Sequence, residues 1–218
     1  MDRIPERELM DDERQSVAYA NADFSESNQL FVDRLVRDFP AHLRRVLDIG
    51  CGPGDVVIRV ARSVPDASIT AIDGSAPMIA LARTAVTAAG LERRVTLVQA
   101  RVPGAPVGEH AFDAVLSKDL LHHLPDPSVL WGEIARLGRA GAAVSVMDLV
   151  RPSTPADARR IVEDVSADED PILKEDFYNS LCAAFTVDDV RRQLSDAGLH
   201  LRVEQVSARH LLVTGFLP

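Results

Sequence analysis

Arg45-Val46-Leu47-Asp48-Ile49-Gly50-Cys51-Gly52-Pro53-Gly54 is the stretch whose reading decides the fold: a short apolar run ends in an acid and opens into a glycine-rich turn. Arg45 to Ile49 has the length and composition of a buried parallel strand, and Val56, Val57, Val60, Ala61 and Val64 recur at helical spacing just after it. The glycines therefore fall in a strand-to-helix turn, where an open α/β sheet binds its ligand. Glycine at 50, 52 and 54 permits positive φ and removes the Cβ atoms that would keep a ligand off the backbone.

Several nucleotide cofactors use such a turn, and the neighbouring residues narrow the choice. In the dinucleotide fingerprint G-x-G-x-x-G the third glycine would stand where this chain has Asp55, an acid that repels a pyrophosphate on the helix N-terminus. No Lys-Ser or Lys-Thr pair follows the turn, which excludes a P-loop. Asp48 offers negative charge to the ligand and suits a cofactor with an ammonium or sulfonium group. S-adenosylmethionine carries both.

Asp48 to Gly54 resembles the first motif of class I S-adenosylmethionine-dependent methyltransferases, and later segments follow in that family's order. Ser68-Ile69-Thr70-Ala71-Ile72-Asp73 is similar to its second strand, with a terminal acid 25 residues after Asp48. Phe112-Asp113-Ala114-Val115-Leu116-Ser117, followed by Leu120-Leu121-His122-His123-Leu124, resembles the fourth strand and the loop beyond it. Leu199 to Val206 and Arg209 to Phe216 read as a hairpin about Ser207-Ala208. The resemblance implies an α/β fold, a doubly wound, mostly parallel seven-stranded Rossmann-like sheet with one antiparallel strand in that C-terminal hairpin.

It also implies a reaction, in-line transfer of the sulfonium methyl to an unidentified small-molecule nucleophile, and a set of positions. Asp48, Gly50, Cys51, Gly52 and Gly54 lie at the methionine half of S-adenosylmethionine, and Asp73 with Gly74 at its ribose. Met78, Gln99, Arg101 and Val102 lie near adenine, Tyr19 reaches from an N-terminal helix, and Ser117 and Lys118 sit beneath the methyl group. Arg101 departs from the pattern, because the family often has there an Asp that accepts from the adenine amino group and an arginine cannot accept. Gln99, a backbone carbonyl, or packing with the Val102 N–H then takes that role. The same departure leaves open an alternative, a non-catalytic protein that binds S-adenosylmethionine or S-adenosylhomocysteine.

His122, His123 and Asp119 are the candidate catalytic residues, since they follow the fourth strand closely and a histidine can take a proton near neutral pH. Phe24, Asp148, Arg151, Phe177, Tyr178 and Asn179 are the candidates for the acceptor side. The acceptor is expected between the Ser117 to His123 loop and the insertion from Asp168 to Asn179.

The chain of 218 residues is long enough for one α/β domain. Residues 1–40 read as a helical lid, 41–150 as the cofactor-binding core, 151–185 as a helical insertion over the substrate, and 186–218 as a helix and the hairpin. With 24 basic and 33 acidic residues the net charge is −9, which disfavours nucleic acid as partner. Cys51 and Cys182 lack paired spacing and fit a reducing cytoplasm, and the densely charged N-terminus argues against a secretory leader. No apolar run approaches membrane-spanning length, and no ligand spacing among acids and histidines points to a metal. A monomer and a homodimer are equally compatible with the sequence.

Overall fold

The computed structural model describes residues 1–6, 11–166 and 169–218. Among these, seven strands form one sheet: β1 (Arg45–Ile49), β2 (Ser68–Asp73), β3 (Val95–Gln99), β4 (Phe112–Lys118), β5 (Gly138–Leu149), β6 (Arg202–Gln205) and β7 (His210–Phe216). Their order is β3-β2-β1-β4-β5-β7-β6, with β1 to β5 parallel and β7 antiparallel to both of its neighbours. The sheet reverses direction of growth between β1 and β4, which makes the crevice beyond their C-terminal ends the topological switch point.

Both faces of the sheet are covered, so its central strands are apolar on both sides. Along β1, Val46 joins one core layer and Leu47 the other. One layer packs Phe31, Val32 and Leu35 of α2 (Ser25–Asp38), Val57, Val60 and Ala61 of α3 (Asp55–Ser63), and Ile79 and Val86 of α4 (Ala76–Ala88) on the sheet. The opposite layer centres on the fully buried Trp131 of α5 (Ser128–Leu137) and takes Val190 and Leu194 of α8 (Val187–Asp196). α1 (Glu13–Asn21) touches α4 and α7 (Pro171–Ala183), and α7 makes a smaller cluster with α6 (Pro155–Ser166) and Leu149.

The local signals explain most boundaries. Ser75 accepts from the Met78 N–H at the start of α4, and Gly90 beyond its end has φ +68°. Thr186 and Asp189 form a reciprocal capping box at α8. β6 is shorter than the Leu199 to Val206 run, because the Leu199 N–H donates to the Leu194 carbonyl and Leu199 thereby belongs to the exit from α8. β5 begins at Gly138, directly after α5.

The glycine turn is held by β2: the Gly50 and Cys51 N–H groups donate to the Ile72 carbonyl at 2.8 and 3.0 Å. Gly50 has φ +80°, and a Cβ there would stand 2.9 Å from Leu120. Gly50→Ala is therefore expected to destabilise the chain by roughly 1–3 kcal/mol through strained backbone and overpacking. Urea denaturation measures this, and a change below about 0.5 kcal/mol would show the turn to be more yielding than its packing indicates.

Candidate functional site

At the switch point a cleft of about 280 Å³ opens between the glycine turn, the C-terminal ends of β2 and β4, and the N-terminal helices. Asp48, Gly50, Cys51, Gly52, Asp73, Gly74, Met78, Arg101, Val102, Lys118 and Tyr19 all line it, although they come from distant parts of the sequence. Ala100 and Ile72 continue the wall, and Asp55, Arg59 and Asn28 stand at one side, where Asp55 accepts from both Arg59 (2.7 Å) and Asn28 (2.7 Å).

Asp48 is 2% exposed, and neither carboxylate oxygen has a hydrogen-bond partner among the described residues. Burial, and then the charge of Asp73, push its pKa up from 3.8 to about 7, against the opposing pull of Lys118. A buried carboxylate with four empty acceptor positions beside a cleft is a site built for a cation. Asp73 differs: its Oδ2 accepts from the Gly52 N–H and its Oδ1 from the Ser75 N–H, both at 2.8 Å. Burial raises its pKa although these two bonds oppose the rise. Each oxygen keeps a lone pair for a ligand hydroxyl.

Beside the cleft lies a second cavity, bordered by Phe24, Asp119, His122, Leu149, Leu173, Phe177 and His210. Tyr19, Phe24, Asp119 and His123 border both spaces, so the two meet at the end of β4. Asp119 is held there at φ +55° and is paired with Lys118. Burial would raise its pKa, but Lys118 and then His210 hold it below the usual carboxylate value. A third cavity, on the far side of His123, is lined by Glu6, Asp176, Tyr178, Asn179 and Ser180.

The two histidines occupy a short 3₁₀ turn, Leu121–His123, and have different surroundings. His122 is buried, with Nδ1 2.7 Å from Asp148 Oδ1, while Asp148 also accepts from the Leu121 and Leu149 N–H groups at 2.7 and 2.8 Å. Burial disfavours the imidazolium, yet Asp148, with Glu6 and Asp119 behind it, outweighs this and lifts the His122 pKa above its ordinary value. His123 stacks on His122 with ring centroids 4.2 Å apart and borders all three cavities. His210 is held on the neutral side, because burial pushes its pKa down to about 4.

Several positions fall elsewhere than the sequence suggested. Ser117 is sealed in the sheet and donates to the Ile49 carbonyl at 2.8 Å; period-2 alternation turns it away from the cleft that Lys118 reaches. Gln99 is exposed at the end of β3 and outside the cleft, which leaves the backbone and packing around Ala100 and Val102 to meet a base. Gly54 caps α3 at φ +91° against Ala82, and so shapes the turn from behind. Asp148 is consumed by His122 and two backbone groups, and Arg151 by Asp189 (3.0 Å) and the Ala184 carbonyl (3.3 Å); neither borders the acceptor cavities. Phe24 and Phe177 do border one, and Tyr178 and Asn179 the other. Asp168 lies outside the described residues.

Sequence reading missed Glu6 and His210. His210 opens a continuous apolar strand run that reads as ordinary core. Glu6 arrives with an N-terminal strap: the Ile4 N–H donates to Cys182 (3.0 Å), and Arg3 donates to the carbonyls of Ala183, His122 and Leu124 and stacks over Phe185 at 4.1 Å.

Residues 46–141 match the family described as methyltransferase domain. The chain is 28% identical over 184 residues to 27-O-demethylrifamycin SV methyltransferase of Amycolatopsis mediterranei, covering 82% of this chain and 62% of that protein. It is 29% identical over 120 residues to demethylmenaquinone methyltransferase of Porphyromonas gingivalis, covering 55% and 48%. The chain thus spans about half to three-fifths of the length of these relatives. Its fold is similar to the crystal structure of a SAM-dependent methyltransferase from Aquifex aeolicus, with TM-score 0.72, 20% identity and coverage of 95% and 99%. In its glycine turn, strand order and matching central segment, the chain is similar to class I S-adenosylmethionine-dependent methyltransferases.

Proposed function

We propose that this chain binds S-adenosylmethionine and catalyses methyl transfer to a small-molecule acceptor by in-line displacement. The observation that carries the reading is Asp48, a buried carboxylate at the floor of the cleft with no hydrogen-bond partner among the described residues. It fits the ammonium of the methionine moiety, the turn glycines admit that moiety close to the backbone, and Asp73 keeps lone pairs for ribose hydroxyls. Met78, Ala100 and Val102 supply apolar contact for adenine. When bound, the cofactor supplies an electrophilic methyl group on a sulfonium centre.

The chain's own part is to place and deprotonate the acceptor. Phe24, Leu149, Leu173 and Phe177 give the adjoining cavity an apolar lining for a small organic molecule. Relatives named for 27-O-demethylrifamycin SV and demethylmenaquinone support that class of acceptor, and the net charge of −9 disfavours nucleic acid. His123 borders both cleft and cavity, which supports it as the group that takes the acceptor's proton. His122, fixed by Asp148, positions the turn. Two free, buried cysteines support a reducing compartment such as the cytoplasm, and among the described residues no helix is long and apolar enough to cross a membrane.

The test is transfer of labelled methyl from the cofactor into a pool of small metabolites. Saturable binding with no labelled product from any pool would instead favour the non-catalytic reading. With an acceptor in hand, His123→Gln is expected to lower kcat by about 10²–10⁴-fold while cofactor affinity stays within about twofold. Normal turnover in that variant would leave the enzyme working by positioning alone.

A further inference from the structure

We propose that Glu6, His122 and His123 form a binding site for a divalent transition-metal ion of the zinc type. One ligand atom from each lies within 4.8 Å of the other two. Glu6 Oε1 stands 3.5 Å from His122 Nε2 and 3.2 Å from His123 Nδ1. With metal–ligand bonds of roughly 2.0–2.2 Å, the edges of a tetrahedral site are about 3.3–3.6 Å, so both measured separations suit a shared ion.

The surroundings orient these groups as the outer shell of a metal site does. Asp148 lies 2.7 Å from His122 Nδ1 and holds a proton there, so Nε2 is the nitrogen that faces the Glu6 carboxylate and is open to a proton or a metal ion. Two acceptors face to face repel each other unless a proton or a cation lies between them. Ser180 Oγ donates to both Glu6 oxygens, at 3.1 and 3.4 Å, and fixes that side chain from behind. Two imidazoles and one carboxylate suit Zn²⁺ or Co²⁺ better than Mg²⁺ or Ca²⁺, which prefer oxygen ligands. The fourth position opens on the cavity that Glu6 and His123 share with Asp176 and Asn179, with room for water. Arg3, the nearby cation, is turned to the carbonyls of Ala183, His122 and Leu124, and Asp148 and Asp176 add negative charge. An ion on these imidazoles and a proton accepted by His123 exclude each other, so metal loading acts as a brake on acceptors that must be deprotonated.

The test uses the full chain without a histidine tag, stripped by chelator and titrated with Co²⁺, followed by visible d–d absorption, with Zn²⁺ competition. One ion per chain is expected, with the spectrum of low coordination number, a raised melting temperature, and displacement by Zn²⁺. Glu6→Gln and His123→Gln should each weaken binding at least about tenfold while circular dichroism stays normal, and Glu6→Gln, outside the cofactor cleft, should leave S-adenosylmethionine affinity unchanged. No saturable spectrum, or variants that bind the ion as the parent does, overturns the site. Neither readout depends on methyl transfer, so failure here leaves the proposed reaction untouched.

Discussion

Asp48→Asn is expected to bind S-adenosylmethionine at least ~100-fold more weakly than the parent, while the ligand-free variant loses a pH dependence of stability that the parent shows. The binding loss follows from removing one partner of a buried charge pair, which typically costs about 3–5 kcal/mol. The stability effect has the opposite origin. Folded Asp48 titrates at about 7 against an ordinary value of 3.8, so between those values the folded chain holds more protons than the unfolded one. Asp48 therefore favours the folded state fully at low pH and progressively less as pH rises toward 7, by on the order of 4 kcal/mol across the window. Asparagine carries no charge and abolishes that contribution. In the parent, a proton on Asp48 competes with the ligand's ammonium, so affinity should fall about tenfold per pH unit below 7. A cofactor analogue lacking the amino group should show no such fall. Calorimetry of both ligands from pH 6 to pH 8, with urea melts of the free protein, checks each sign; parallel profiles for the two ligands would remove Asp48 from ammonium recognition.

Asp148→Ala is expected to cost about 3–5 kcal/mol of folding free energy, the largest single loss anticipated outside the apolar core. The carboxylate is 1% exposed and accepts from two backbone N–H groups as well as facing His122 Nδ1. Alanine leaves all of these buried without an acceptor, and each abandoned donor carries a desolvation penalty of about 1–3 kcal/mol. Asp148→Asn keeps one acceptor oxygen and the shape, so its loss should be clearly smaller. Against a typical stability of about 5–15 kcal/mol, the alanine variant stands near the limit of folding at 37 °C. Chemical denaturation of both variants measures this, and a loss under about 1 kcal/mol would mean that water replaces the carboxylate.

The fold was legible because its signals are local or strictly periodic. Arg45 to Ser63 announces a strand, a turn and a helix within nineteen residues, and the short apolar runs of β1 and β4 need no knowledge of what they touch. Met78, Asp73 and the glycines were legible by their places relative to strand ends. The direction of a side chain at a strand's end was harder. Ser117 and Lys118 are neighbours, yet only the second reaches the cleft, because one step along a strand exchanges faces. Gln99 failed for the same reason. Asp148 and Arg151 stand at the right level of the sheet, but buried donors and an ion partner claim them first, and no spacing rule reveals such claims. Glu6 was illegible because its meeting with His122 and His123 depends on how the strap crosses α7, a contact between chain segments more than a hundred residues apart.

The placement of β7 has a consequence for how the molecule is made. It lies between β5 and β6 although it follows both in the chain, and Leu211, Leu212 and Val213 are its fully buried centre. On the ribosome, β5 must therefore wait with one hydrogen-bonding edge open until residues 210–216 have left the exit tunnel. Such an edge invites pairing with other chains. A nascent chain stalled or truncated just before His210 would present that edge permanently, so the arrival of residues 210–216 decides whether β5 is closed inside the sheet or left as a nucleus for aggregation.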